Sequence, residues 1–134
     1  MDAMFEILTV CTGNICRSPL AAVLLQSRFG GPDVIVASAG TRGLNAAPMT
    51  PEAVRLASEL GGDVEMATAH RSRPLRDQDL VSPDLIIALT REHRTRILDI
   101  SPARMRSTFT AREFARLASA ISDDDIRESI AGAG

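Results

Sequence analysis

The stretch Met4-Phe5-Glu6-Ile7-Leu8-Thr9-Val10-Cys11-Thr12-Gly13-Asn14-Ile15-Cys16-Arg17-Ser18-Pro19-Leu20-Ala21-Ala22-Val23-Leu24-Leu25 decides the fold. Its first seven residues are near-continuously apolar, the pattern of a strand covered on both faces. Its end is a helix, predicted to begin at Ser18-Pro19, because proline is tolerated in a first helical turn where its missing N–H costs nothing. A thiol therefore sits at a strand's carboxyl end, an arginine lies six residues on, and a helix N-terminus points back at both. The C-x5-R spacing lets one loop wrap a tetrahedral anion. The N–H groups of Thr12 to Arg17 are expected to point inward, with the positive end of the helix behind them. The planar fork of Arg17 suits two oxygens of a phosphoryl group, and the same field favours the thiolate of Cys11. Gly13 is expected to allow a backbone path that a side chain would obstruct. Asn14 is expected to accept a left-handed conformation and to bond locally to hold the loop.

Outward from this stretch, Gly30-Gly31-Pro32 stops the helix, whose predicted buried stripe is Leu20, Val23, Leu24 and Ser27. Val34-Ile35-Val36-Ala37 reads as a second strand running into Ser38-Ala39-Gly40-Thr41. Pro51 opens a helix ending near Leu60, with Ala53, Leu56, Ala57 and Leu60 at helical spacing. Asp63 to Arg76 reads as irregular, and Asp77 to Val81 as a helical turn. Asp84 to Leu89 is a third strand, Arg91 to Asp99 a helix, and Met105 to Phe109 a weaker fourth strand. Thr110 caps a helix over Ala111 to Ala120 with Phe114 and Leu117 inward, and Ser122-Asp123-Asp124-Asp125 opens a last one. Strand and helix alternate throughout, which argues a parallel sheet with helices on both faces and a site at the strands' carboxyl ends.

With 134 residues the chain is read as one domain with a core of Leu, Ile, Val, Ala and Met, since Trp and Tyr are absent and Phe occurs four times. The formal net charge of −2 argues against a broad nucleic-acid surface. All fifteen basic residues are Arg, a bias we ascribe to genomic base composition. Two cysteines do not make a disulfide framework, no leader pattern precedes the first strand, and Met4 to Val10 is too short to span a membrane. The expected setting is reduced and cytoplasmic, with no membrane partner.

Val10 to Pro19 resembles the phosphate loop of the low-molecular-weight protein tyrosine phosphatase family. Ser38-Ala39-Gly40-Thr41, His70-Arg71-Ser72-Arg73, and Asp84 to Leu89 followed by Arg91 and His93 sit in that family's order. The resemblance implies an α/β fold: a three-layer, flavodoxin-like, four-stranded parallel sheet in order 2-1-3-4 with helices on both faces. It implies phosphomonoester hydrolysis in two steps, with no metal and no cofactor. Cys11 would be the nucleophile, and Arg17 and the loop amides of Thr12, Gly13, Asn14, Ile15 and Cys16 would bind the phosphoryl group. Ser18 would bond to the Cys11 sulfur, and Asn14, Ser38 and His70 would hold the loop from behind. Cys16 reads either as a redox partner of Cys11 or as a small buried hydrophobe. Ile15 stands where the phosphoarginine-selective branch has Thr, which points to a tyrosine-phosphorylated protein or small aryl phosphate as substrate and inorganic phosphate as product. The rim candidates, Thr12 and Leu44 to Ala47, include no aromatic.

The family's general acid, an Asp in an Asp-Pro near the C-terminus, has no counterpart, because the sequence contains no Asp-Pro. Residues 1–134 are accordingly expected to be a single domain incomplete at its C-terminus. The alternative is a phosphate-binding module without efficient turnover.

Overall fold

The computed structural model describes residues 4–120. Four strands form one sheet: β1 (Phe5–Cys11), β2 (Val34–Gly40), β3 (Leu85–Ala88) and β4 (Thr108–Thr110). Every pairing is parallel and the order is β2-β1-β3-β4, as predicted. Ile7, Val36 and Leu85 lie level across the sheet, as do Leu8, Ala37 and Ile86. Alternation along each strand then sends two residue sets to opposite faces. Leu8, Val10, Ala39, Ile86 and Ala88 face one layer, with Leu80 and Ile97. Ile7, Val34, Val36 and Ile87 face the other, with Leu25 and Phe114.

The connections are helical: α1 (Arg17–Phe29), α2 (Pro51–Glu59), α3 (Val64–Ala69), α4 (Arg91–Ile100) and α5 (Ala111–Ala120). Ile97 of α4 lies in the first layer, and Leu25 of α1 and Phe114 of α5 in the second, so helices cover both faces. The chain leaves β1 toward β2 and returns on the other side to β3. The carboxyl end of β1 is therefore the switch point of the sheet, where ligands bind in folds of this kind. At the outer edge of β2, Gln26 donates to the Val34 carbonyl and accepts from the Val36 N–H, covering a strand edge that would otherwise present open bonding groups.

Several expectations are corrected. The span from Asp63 to Arg76 contains α3, whose start is capped by Asp63 accepting from the N–H groups of Glu65 and Met66. Met105 to Ser107 belong to a 3-10 segment (Pro102–Ser107), so β4 starts at Thr108. Helix α1 starts at Arg17, one residue before the predicted Ser18, and Ser27 lies outside its buried stripe. Leu56, Leu60 and Leu117 are exposed rather than inward. The cause for α2 is that it packs beside α1 through its small face, Ala53 and Ala57, against Val23 and Met49. The proposed last helix at Ser122 lies outside the described residues. No helix among the described residues is long and apolar enough to cross a membrane.

Candidate active site

Between β1 and α1, the chain turns its carbonyl groups outward one after another. The carbonyls of Cys11, Thr12, Gly13 and Ile15 accept from the N–H groups of Thr41, Arg42, Leu44 and Thr50, and that of Cys16 accepts from Leu20. The Asn14 carbonyl takes a bond from His70 Nε2 at 2.7 Å. A carbonyl only accepts, so His70 carries its proton on Nε2. The N–H groups of residues 12–17 are left facing the opposite way with no acceptor among the described residues. No side chain caps the start of α1 either. A concave row of N–H groups at an uncapped helix N-terminus attracts an anion.

Asn14 holds this shape. It is fully buried and has φ of 60°, a left-handed conformation that Asn accepts more readily than most residues. Its Nδ2 donates to Ser18 Oγ and to Ser38 Oγ, both at 2.9 Å, and its Oδ1 accepts from the Arg73 N–H at 2.9 Å. Ser18 Oγ, which accepts from Asn14, lies 2.9 Å from Cys11 Sγ, a contact in which either atom can donate, and also donates to the Ala39 carbonyl at 3.4 Å. Thr9 ties strand to helix from below, its hydroxyl donating to the Ser18 carbonyl at 2.7 Å. Ser72 straps the 42–50 loop alongside: its hydroxyl donates to the Leu44 carbonyl and accepts from the Ala47 N–H. Asn14, Ser38 and His70 do meet behind the loop, and His70 reaches the Asn14 backbone rather than its side chain.

The expectation for Gly13 is corrected. Gly13 has no left-handed φ, and a Cβ there would make only an ordinary contact with Ile15 at 3.6 Å. The glycine the loop requires is Gly40, at the end of β2, where a Cβ would stand 2.3 Å from the Thr12 carbonyl oxygen. The reading of Cys16 as a buried hydrophobe is also set aside, because Cys16 is exposed while Cys11 is buried, both as free thiols.

The sequence reading assigned no role to His93, which lies on the first turn of α4. Its Nδ1 accepts the Thr90 N–H at 3.1 Å, so the neutral ring carries its proton on Nε2 and donates to Thr12 Oγ1 at 2.8 Å. Burial, with the Arg17 guanidinium as a second cause, lowers the His93 pKa below its usual 6.5. The signal in the sequence is the Thr90-Arg91-Glu92-His93 spacing, which allows reciprocal capping between Thr90 and His93. Beside Arg17 an open cavity of about 730 Å³ extends between the starts of α4 and α5.

Fold and site together define a doubly wound α/β protein with a cysteine and an arginine on the loop at its switch point. The family model for low molecular weight phosphotyrosine protein phosphatase matches residues 6–128, and the chain belongs to that family. It is 41% identical over 97 residues to the low molecular weight protein-tyrosine-phosphatase Etp of Escherichia coli K12, an alignment covering 72% of this chain and 62% of Etp. The chain thus spans less than two thirds of that relative's length. The solved YwlE arginine phosphatase of Geobacillus stearothermophilus superposes with a TM-score of 0.72 at 34% identity, covering 82% of this chain and 68% of that one. A further YwlE structure, a cysteine-to-serine mutant with its active-site serine phosphorylated, aligns at 32% identity with a TM-score of 0.71, covering 82% and 71%.

Proposed function

We propose that this protein hydrolyses phosphotyrosine and related aryl phosphomonoesters through a cysteinyl-phosphate on Cys11. The observation that carries the reading is the loop whose carbonyls all bond outward around a buried thiol. Cys11 Sγ attacks phosphorus, forming the S–P bond as the bond to the aryl oxygen breaks. Arg17 and the N–H groups of the loop, Thr12 to Cys16, receive the charge that spreads over the three equatorial oxygens. Ser18 donates to Sγ, stabilising it as the leaving group when water cleaves the S–P bond and releases inorganic phosphate. Asn14, Ser38 and His70 keep the amides aimed. The phosphorylated serine in the YwlE mutant supports attack from this loop position.

The relatives include both tyrosine and arginine phosphatases, and Ile15 favours phosphotyrosine. The substrate class is a tyrosine-phosphorylated protein or small aryl phosphate in the cytoplasm. Binding without turnover is the less favoured reading, because the named relatives are phosphatases.

p-Nitrophenolate leaves without needing a proton, so p-nitrophenyl phosphate tests the loop by itself. Cys11→Ser is expected to reduce its hydrolysis to background, and Arg17→Lys to slow it roughly 10²–10³-fold. Equal rates for wild type and Cys11→Ser would remove Cys11 as nucleophile. Faster release of phosphate from phosphoarginyl than from phosphotyrosyl peptides would reverse the substrate assignment.

A further inference from the structure

The cavity beside Arg17 is more basic than one phosphoryl group requires. Arg91 and Arg94 from α4 and Arg112 and Arg116 from α5 line it with Arg17, so five of the fifteen arginines converge there in a protein whose net charge is −2. The two acidic residues on the wall cap helix starts and offset part of its charge, since Arg91 acts on both Glu92 and Glu113 and Arg94 acts on Glu113. Glu113 accepts the Thr110 N–H at 2.8 Å and returns a bond from its own N–H to Thr110 Oγ1. The Glu92 carboxyl is held below its usual pKa, chiefly by a backbone hydrogen bond and by Thr90. Arg94 is half-buried and oriented by one bond, from Nε to the Thr108 carbonyl at 3.2 Å. Among the described residues no acceptor takes its terminal nitrogens, nor the guanidinium groups of Arg91, Arg112 or Arg116. At about 730 Å³ the cavity matches the roughly 300–1,000 Å³ typical of ligand sites.

We propose that this wall is a second anion subsite, which binds Asp and Glu side chains flanking the phosphorylated residue of an acidic peptide substrate. The assignment rests on the reading of the loop as the phosphoryl site. The scissile phosphate occupies the loop, and the peptide passes Arg17 into the cavity. Carboxylates meet guanidinium groups there through paired hydrogen bonds. The subsite sets which phosphopeptide is chosen and takes no part in the chemistry.

Peptide binding to the Cys11→Ser protein tests this without turnover, by fluorescence anisotropy. Three labelled peptides are compared: phosphotyrosyl with acidic flanks, phosphotyrosyl with neutral flanks, and the acidic sequence unphosphorylated. Acidic flanks are expected to tighten phosphopeptide binding about tenfold at low ionic strength, with the gain shrinking at ~0.5 M salt. Arg112→Glu with Arg116→Glu should abolish that ratio. Arg91→Gln, on the other helix, should reduce it and stands as the second test if the α5 variant does not fold. Equal affinity for acidic and neutral flanks, or a preference that survives both variants, overturns the subsite. So does a single-stranded oligonucleotide that competes as well as the acidic peptide, since the wall would then be a general polyanion surface. Equal binding of phosphorylated and unphosphorylated acidic peptides would instead count against the loop reading, and the ratio of acidic to neutral flanks would still decide the subsite.

Discussion

Asn14 shows how one side chain sets a backbone. Its amide satisfies three partners from α1, β2 and the 70–75 segment, while its φ of 60° turns the neighbouring amides inward. Glycines near the loop differ sharply in what they tolerate. Gly40→Ala would drive a Cβ against the Thr12 carbonyl and is expected to cost about 3 kcal/mol, whereas Gly13→Ala is expected to stay within about 0.5 kcal/mol. Urea denaturation of the two variants checks this. A Gly13 variant as unstable as the Gly40 variant would contradict the geometry.

His93 makes a second prediction at this scale. Its neutral form accepts from Thr90 and donates to Thr12. Protonation would remove the Nδ1 acceptor and set a positive charge near Arg17. Burial and Arg17 depress the folded pKa below 6.5, so the folded state binds the proton less readily than the unfolded chain. The stability that His93 contributes is complete above the unfolded value and is lost as pH falls through the lower folded value. In denaturant titrations across that window, His93→Gln should flatten the decline in stability relative to wild type. An unchanged slope would show that other groups cause the decline.

At the scale of elements, the loop depends on what surrounds it. Residues 41–50 supply N–H groups to the loop carbonyls, and Ser72 straps those residues in place. The loop's own ten residues therefore carry the groups on which the proposed chemistry rests, but distant segments dictate its shape. Helix α3 lies beside this strap and ends one residue before His70. Its stability rests on the Asp63 cap, so Asp63→Ala is expected to cost about 1 kcal/mol. Hydrogen exchange should then accelerate in 64–69 first. Uniform acceleration across the sheet would mean α3 does not open separately.

At the scale of the whole molecule, the apolar stripe of each helix meets a partner that its sequence does not name. Leu8→Ala and Ile86→Ala remove side chains from the fully packed layer and should each cost about 3 kcal/mol. Leu60→Gln and Leu117→Gln, at exposed positions, should change stability by less than about 0.5 kcal/mol. A cost for Leu117 comparable to that of the core pair would show that its face is covered in solution.

The run from Met4 to Leu25 sufficed for the strand, the helix and the candidate loop between them, because strand and helix periods and the C-x5-R spacing are local properties of the chain. Alternation of strands and helices sufficed for a parallel sheet. Three features had to wait for the tertiary structure. The short helix α3 has too few residues for a period to declare itself. Leu56 and Leu60 keep helical spacing, yet the face of α2 that meets its neighbours is built from Ala53, Val54 and Ala57. His93 and Gly40 lie 82 and 29 residues from Cys11 in the chain. Their work at the loop is a matter of distance in space, which neither periodicity nor a motif encodes. The cysteine and the arginine of the candidate site are thus written in ten consecutive residues. The hydrogen bonds that turn the loop's carbonyls outward come mainly from segments that only the folded chain brings together.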